Sequence, residues 1–170
     1  MNFRVVVAQP CRAPCPAEIA ADGLIALDSA EAFRNLAATL APNPIVVHLA
    51  SPGGNLVGSL QLGRAFRAFN ATVIVDKGAR CISACVYALL GGAVRRVSGG
   101  RIGVHRFRPE AEASDRDFPT VLVQRAIEIL TEYATQMQAD PELIKLAMSI
   151  SAPAVHFLDA GELRRYRVTN

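Results

Sequence analysis

The chain has 170 residues, 51% hydrophobic and 19% charged, with a net charge of +3; it is long enough to bury one sizeable core and too apolar for a disordered segment. Lysine occurs only at Lys77 and Lys145 and the arginines are scattered, which argues against a nucleic-acid surface. No apolar run approaches the ~18–20 residues of a membrane span, and residues 1–8 are too short for a secretory signal. Either the protein is cytoplasmic, or it is exported or periplasmic and its signal lies outside this chain.

Residues 1–16 hold three prolines and two cysteines and read as an N-terminal arm or edge strand. Residues 17–170 read as a single domain. Within 17–27, Ile19, Leu24, Ile25 and Leu27 around Asp22-Gly23 predict short strands and a turn. Asp28-Ser29 can cap a helix in which Ala32, Phe33, Leu36, Ala37 and Leu40 recur at helical spacing, and Pro42 and Pro44 close it. The run 45–50 is rich in β-branched residues and predicts a strand covered on both faces, which places His48 in a core or an interface. Ser51-Pro52-Gly53-Gly54-Asn55 is a glycine-rich turn, followed by a helix with Leu56, Leu60, Leu62, Ala65, Phe66 and Phe69 on its apolar face. A strand at 72–75 leads through Asp76-Lys77-Gly78 to Arg80-Cys81-Ile82-Ser83-Ala84-Cys85 and a short apolar helix ending at Gly91-Gly92. A strand at 94–97, a turn at Ser98-Gly99-Gly100 and a strand at 102–107 follow, the last two read as a hairpin-like segment. Residues 106–117 are strongly charged and read as an exposed loop. The longest helix is expected at 118–137. Asp140 and Pro141 open another helix, a short strand covers 156–158, and Asp159 caps a last helical turn. Strands alternating with helices predict an α/β fold with a mostly parallel sheet.

Ser83 lies where strand gives way to helix, a place with unpaired N–H groups suited to a nucleophile whose reaction builds negative charge. His105 comes 22 residues later and is the natural base, since imidazole titrates near neutrality. An oxyanion needs two preorganised donors. The N–H of Ala84 can be one, and a glycine N–H from Gly53 or Gly54 the other, because a residue without Cβ lets backbone approach a substrate. The cysteines form the pairs Cys11/Cys15 and Cys81/Cys85. They are disulfide candidates suited to an oxidising compartment, with three possible connectivities. The C-x-x-x-C spacing does not match the usual zinc pair, so no metal is expected.

Ser51-Pro52-Gly53-Gly54 after an apolar strand, a serine followed by a small residue, Gly103-Val104-His105 and the tail Phe157-Leu158-Asp159-Ala160 together resemble the proteolytic subunit of the Clp protease and its relatives of the ClpP/crotonase fold. The likeness runs from about Ala17 to the end of the chain, and is greatest to exported bacterial ClpP-like proteins whose serine lies between two cysteines. It implies ββα repeats with flanking helices and Ser–His-based peptide hydrolysis without a cofactor. It also implies Ser83 as nucleophile, His105 as base, Gly54 with Ala84 as oxyanion donors, peptide or protein substrates, and a homo-oligomer assembled through the long helix. The family's catalytic aspartate falls at Val155, which cannot orient an imidazole. Asp159, Ser151 and Asp140, in that order, are the candidates for a third residue. The alternative is a decayed protein that binds peptide or assembles without cutting. Acyl-CoA enzymes of the crotonase fold have no need of Ser83 with His105 and fit less well. Signal-peptide peptidases of the broader fold pair serine with lysine, but Lys77, in a predicted turn, reads as a solvated side chain, and His156 as structural.

Overall fold

The computed structural model describes residues 1–6, 15–107, 120–151 and 153–170. Cys11 and all but the first two residues of the predicted charged loop lie outside the described residues. Strands β1 (Asn2–Val6), β2 (Ala17–Asp22), β3 (Ile45–Ala50), β4 (Thr72–Asp76) and β6 (Val94–Ser98) form a five-stranded sheet in the order β1-β2-β3-β4-β6. Its β1–β2 pair is antiparallel and the other pairs are parallel. A second sheet, β5-β7-β8, is built from Arg80–Ile82, Arg101–Val104 and His156–Phe157. A bridge from Ser51, directly after β3, to Cys81 of β5 links the two sheets. The mixed α/β architecture is the one expected, and the residues read as an arm contribute the edge strand β1. The segment after Ser98 is not a hairpin: Gly99-Gly100 hand the chain from the first sheet to the second.

β3 alternates. Ile45, Val47 and Leu49 are buried, whereas Val46, His48 and Ala50 are half-exposed. Val47 lies in register with Ile19 and Val73, all fully buried, so one face of the sheet makes the core. The expectation of cover on both faces is corrected. The other face carries Glu18, His48 and Asp76, and His48 Nδ1 lies 2.7 Å from Asp76 Oδ2. Branched side chains suit either kind of strand, so periodicity alone does not separate them.

Helices α1 (Ser29–Leu40) and α2 (Leu56–Ala68) follow the predicted apolar spacing. Phe33 joins them, its ring centroid 4.7 Å from that of Phe66 and 5.7 Å from that of Phe69, both edge-on. The Asn55 side chain caps α2 by accepting from the Gly58 N–H at 2.8 Å. Helix α3 (Ala84–Leu90) is buried at every residue, as its sequence Ala-Cys-Val-Tyr-Ala-Leu-Leu, apolar all round, dictates. Gly63 on α2 and Gly91 at the end of α3 let these helices meet backbone to backbone: a methyl at Gly91 would strike the Gly63 backbone. Gly91→Ala is expected to destabilise the fold by about 1–3 kcal/mol, read from urea unfolding.

Helices α4 (Thr120–Gln136), α5 (Glu142–Ser149) and α6 (Ala160–Arg165) complete the chain. α4 ends one residue short of the expected helix, and residues 118 and 119 at its expected start lie outside the described residues. The Tyr133 hydroxyl of α4 donates to the Tyr87 carbonyl at 2.8 Å and docks α4 on α3. Asp140 Oδ1 accepts the Glu142 N–H at 2.9 Å at the start of α5, and Asp159 with Glu162 forms a capping box on α6. Arg95 of β6 is 1% exposed, which nothing in its sequence position announces. Its guanidinium donates to the carbonyls of Leu90 at 2.9 Å, Met137 at 2.6 Å and Arg167 at 3.1 Å. These are orphan carbonyls at helix ends, so the cation also meets the negative end of the helix dipoles. Burial, with Arg67 beside it, lowers the guanidinium pKa to about 10, and it stays charged at neutral pH.

Candidate active site

Ser83 stands alone between β5 and α3 with φ +58° and ψ −127°, a backbone conformation that a serine adopts only under strain. A sharp strand-to-helix turn of this kind presents a hydroxyl at the end of a sheet. The turn is held on several sides. The Ser83 N–H donates to the Gly103 carbonyl at 2.9 Å, and the Ile82 N–H to the Ser51 carbonyl at 3.0 Å. A disulfide joins Cys81 to Cys85 across the serine, with both cysteines fully buried. Cys15 is also disulfide-bonded. Closing so short a loop contributes about 2 kcal/mol in the chain-entropy account. A Cys81→Ala/Cys85→Ala variant is therefore expected to lose about that much stability, measured by urea unfolding.

His105 follows directly on β7 and does not extend the strand as predicted. Both Ser83 and His105 are half-buried, and they line one small cleft with Val86, Tyr87, Leu143 and Ala147. No hydrogen bond joins Ser83 Oγ to the imidazole among the described residues. His105 Nδ1 instead lies 2.7 Å from the Arg106 carbonyl oxygen.

Gly53, with φ +109°, packs against the serine turn: a Cβ there would lie 2.9 Å from Ser83 Cβ and 3.2 Å from the Ala84 nitrogen. Its own N–H is engaged, donating to Ser51 Oγ at 3.0 Å. Ser51, read in the sequence as the first residue of the glycine-rich turn, holds that turn by accepting this N–H, as serines in turns commonly do. The Gly54 and Ala84 N–H groups make no hydrogen bond among the described residues, so of the three expected donors these two are free. Gly54 is held by a bridge to Ile25. Beside it lies an open groove lined by Leu24, Ile25, Ala26, Leu27 and Asn55.

None of the candidate third residues hydrogen-bonds to His105. Asp159 accepts the Glu162 N–H at 2.8 Å, Asp140 accepts that of Glu142, and Ser151 is exposed. Val155 packs against β7, its Cγ1 2.7 Å from where a Cβ on Gly103 would sit. His156 is engaged with Glu162 at 2.9 Å, and Lys77 is exposed in its turn. Among the described residues no cluster of His, Cys, Asp or Glu could hold a metal ion. No helix among them is long and apolar enough to cross a membrane.

No protein-family model matches the sequence, and no curated protein matches it. Solved structures do. A mutant of the 1510-N membrane-bound stomatin-specific protease aligns at TM-score 0.65 and 19% identity, over 90% of this chain and 75% of that one. Another mutant of that protease, in complex with a substrate peptide, aligns at TM-score 0.64 and 20% identity, over 90% of this chain and 71% of that one. A ClpP1 mutant from Listeria monocytogenes aligns at TM-score 0.65 and 16% identity, over 90% of this chain and 88% of that one. The strained serine turn, the glycine-rich turn packed on it and the two sheets joined beside them thus sit on a scaffold shared with these proteins. The chain has the ClpP-like fold.

Proposed function

We propose that the protein is a serine peptidase that hydrolyses peptide bonds with Ser83 and His105. The observation that carries this reading is the shared cleft. It brings a serine on a strained strand-to-helix turn together with a histidine, and the N–H groups of Gly54 and Ala84 are unengaged among the described residues. Ser83 Oγ attacks the carbonyl and His105 Nε2 takes its proton. The N–H groups of Gly54 and Ala84 hold the oxyanion, and the imidazolium then protonates the leaving amine. Water releases the acyl group by the same steps reversed in role. The fold shared with named proteases supports this reading. The apolar groove beside Gly54 suits substrates with apolar side chains near the scissile bond.

A fluorophosphonate probe tests the proposal. Labelling at neutral pH that vanishes in Ser83→Ala, with peptide turnover lost by about 10³-fold or more, is the expected result. Absence of labelling in folded protein counts instead for a peptide-binding or assembly protein, a reading favoured by Val155 and by the unjoined Ser83 and His105.

Assembly belongs to the same proposal. α4 leaves Val121, Leu122 and Ile129 exposed at 71%, 52% and 41%, more apolar surface than a helix with one packed face presents. We infer a homo-oligomer formed through this helix. Leu122→Glu with Ile129→Glu is expected to yield monomers in sedimentation velocity that keep the helix content of the parent by circular dichroism, with a urea midpoint lowered by the lost association. The buried disulfide supports an exported protein.

A further inference from the structure

We propose that the backbone carbonyl of Arg106 is the positioning group for His105, taking the orienting part that a carboxylate plays in a serine–histidine–aspartate triad. The inference rests on the peptidase reading and supplies the third member that reading lacks. His105 Nδ1 and the Arg106 oxygen are 2.7 Å apart. A carbonyl only accepts, so Nδ1 carries the proton. The neutral imidazole then keeps its lone pair on Nε2, the form a general base for Ser83 requires.

The carbonyl is itself anchored. The Arg106 N–H donates to the Ile150 carbonyl at 3.0 Å, and Arg106 Nε donates to the Met148 carbonyl at 3.1 Å. Both acceptors lie at the end of α5, the helix whose Leu143 and Ala147 line the cleft. One helix therefore sets both the wall of the cleft and the group that orients the base.

The β7–β8 register shows why a backbone group is needed. Gly103 pairs with Phe157 and Val104 with His156, and that register carried one residue beyond the paired strands would set His105 opposite Val155. The cross-strand neighbour that could have offered a carboxylate offers methyl groups. Asp159 and Asp140 are committed to helix starts.

A carbonyl gives orientation without charge. The imidazolium formed when Ser83 loses its proton meets a dipole and not an anion. Nor, among the described residues, do the neighbouring elements supply one. The cleft side chains Val86, Val104, Leu143 and Ala147 are uncharged, burial holds the Tyr87 phenol un-ionised, and Arg106 is itself a cation. Across the strand, His156 and Glu162 are engaged with one another.

Nitrogen-15 NMR of protein labelled at its three histidines reads the tautomer, with His105→Gln assigning the signal. The expected result is an Nδ1–H tautomer at His105. An Nε2–H tautomer in folded, neutral-imidazole protein overturns the proposal and leaves the peptidase reading standing. A second measurement replaces Phe107 by its α-hydroxy analogue, which turns the Arg106 carbonyl into a weaker ester acceptor. The kcat is expected to fall about tenfold with KM unchanged. Adding Val155→Asp to that protein is expected to restore kcat and move its acidic limb to higher pH, because a carboxylate favours the charged imidazole. An unchanged kcat in the ester protein overturns the proposal. Loss of all turnover and labelling in wild type and Val155→Asp alike condemns the peptidase reading, and the tautomer still decides the part played by Arg106.

Discussion

Gly53→Ala is expected to cut peptide turnover and fluorophosphonate labelling by about 10²-fold or more, the scale of losing an oxyanion donor. The added methyl would lie 2.8 Å from the Ile82 carbonyl oxygen, 2.9 Å from Ser83 Cβ and 3.2 Å from the Ala84 nitrogen. Each of these atoms belongs to the serine turn, so relief means displacing Ser83 and the Ala84 N–H together. The φ of +109° adds strain of about 1–3 kcal/mol for any residue with a Cβ. Gly78→Ala separates the two effects, because Gly78 has φ +82° but nothing within 4 Å of an added Cβ. Both variants should lose stability, and only Gly53→Ala should lose labelling out of proportion. Equal labelling rates in the two would show that the contact with Gly53 does not shape the site.

Arg95→Ala is expected to destabilise the protein by about 3–5 kcal/mol, the range for breaking a buried charged network. At this chain length that lowers the melting temperature by roughly 10 °C. The substitution removes the donors to Leu90, Met137 and Arg167 and leaves helix-end carbonyls in a dry interior. Arg67 still reaches the Leu90 and Met137 carbonyls at 3.3 Å and 3.2 Å, so part of the cost is covered. Arg67→Ala with Arg95→Ala should therefore lose more than the sum of the single variants. Lysine at position 95 offers one ammonium where a planar fork serves three carbonyls, and should recover only part of the stability. Calorimetry reads each case, and a loss below about 1 kcal/mol for Arg95→Ala would show that the network is not what holds these helix ends.

The residues that bear on the proposed chemistry are visible in the sequence to different degrees. Ser83, His105, Gly54 and Ala84 stand out because their residue types are unusual for their places: a hydroxyl at a strand–helix junction, an imidazole in an apolar run, paired glycines after a strand. Gly53 stands out equally, but its N–H is turned to Ser51 Oγ and its part is close packing, which follows from the turn's geometry. Arg95 carries no mark at all. It sits in Val-Arg-Arg-Val-Ser, where alternation does not say which arginine points inward. The Arg106 carbonyl is invisible for a stronger reason: every residue has such a carbonyl, and only the fold decides which one meets an imidazole.

Local order was determined by the sequence itself. The helical spacing of α1 and α2, the apolar composition of α3, the caps at Asn55, Asp140 and Asp159 and the glycines at 53 and 54 all act through neighbours a few residues away. The tertiary structure alone decided what depends on distant partners. It set which face of β3 is buried, how the chain passes from one sheet to the other after Ser98, and that Cys81 pairs with Cys85. It also brought Ser83 and His105 to one cleft and packed Val155 against Gly103 of β7. Those outcomes follow from strand register and helix docking, in which a shift of one residue turns a side chain to the opposite face.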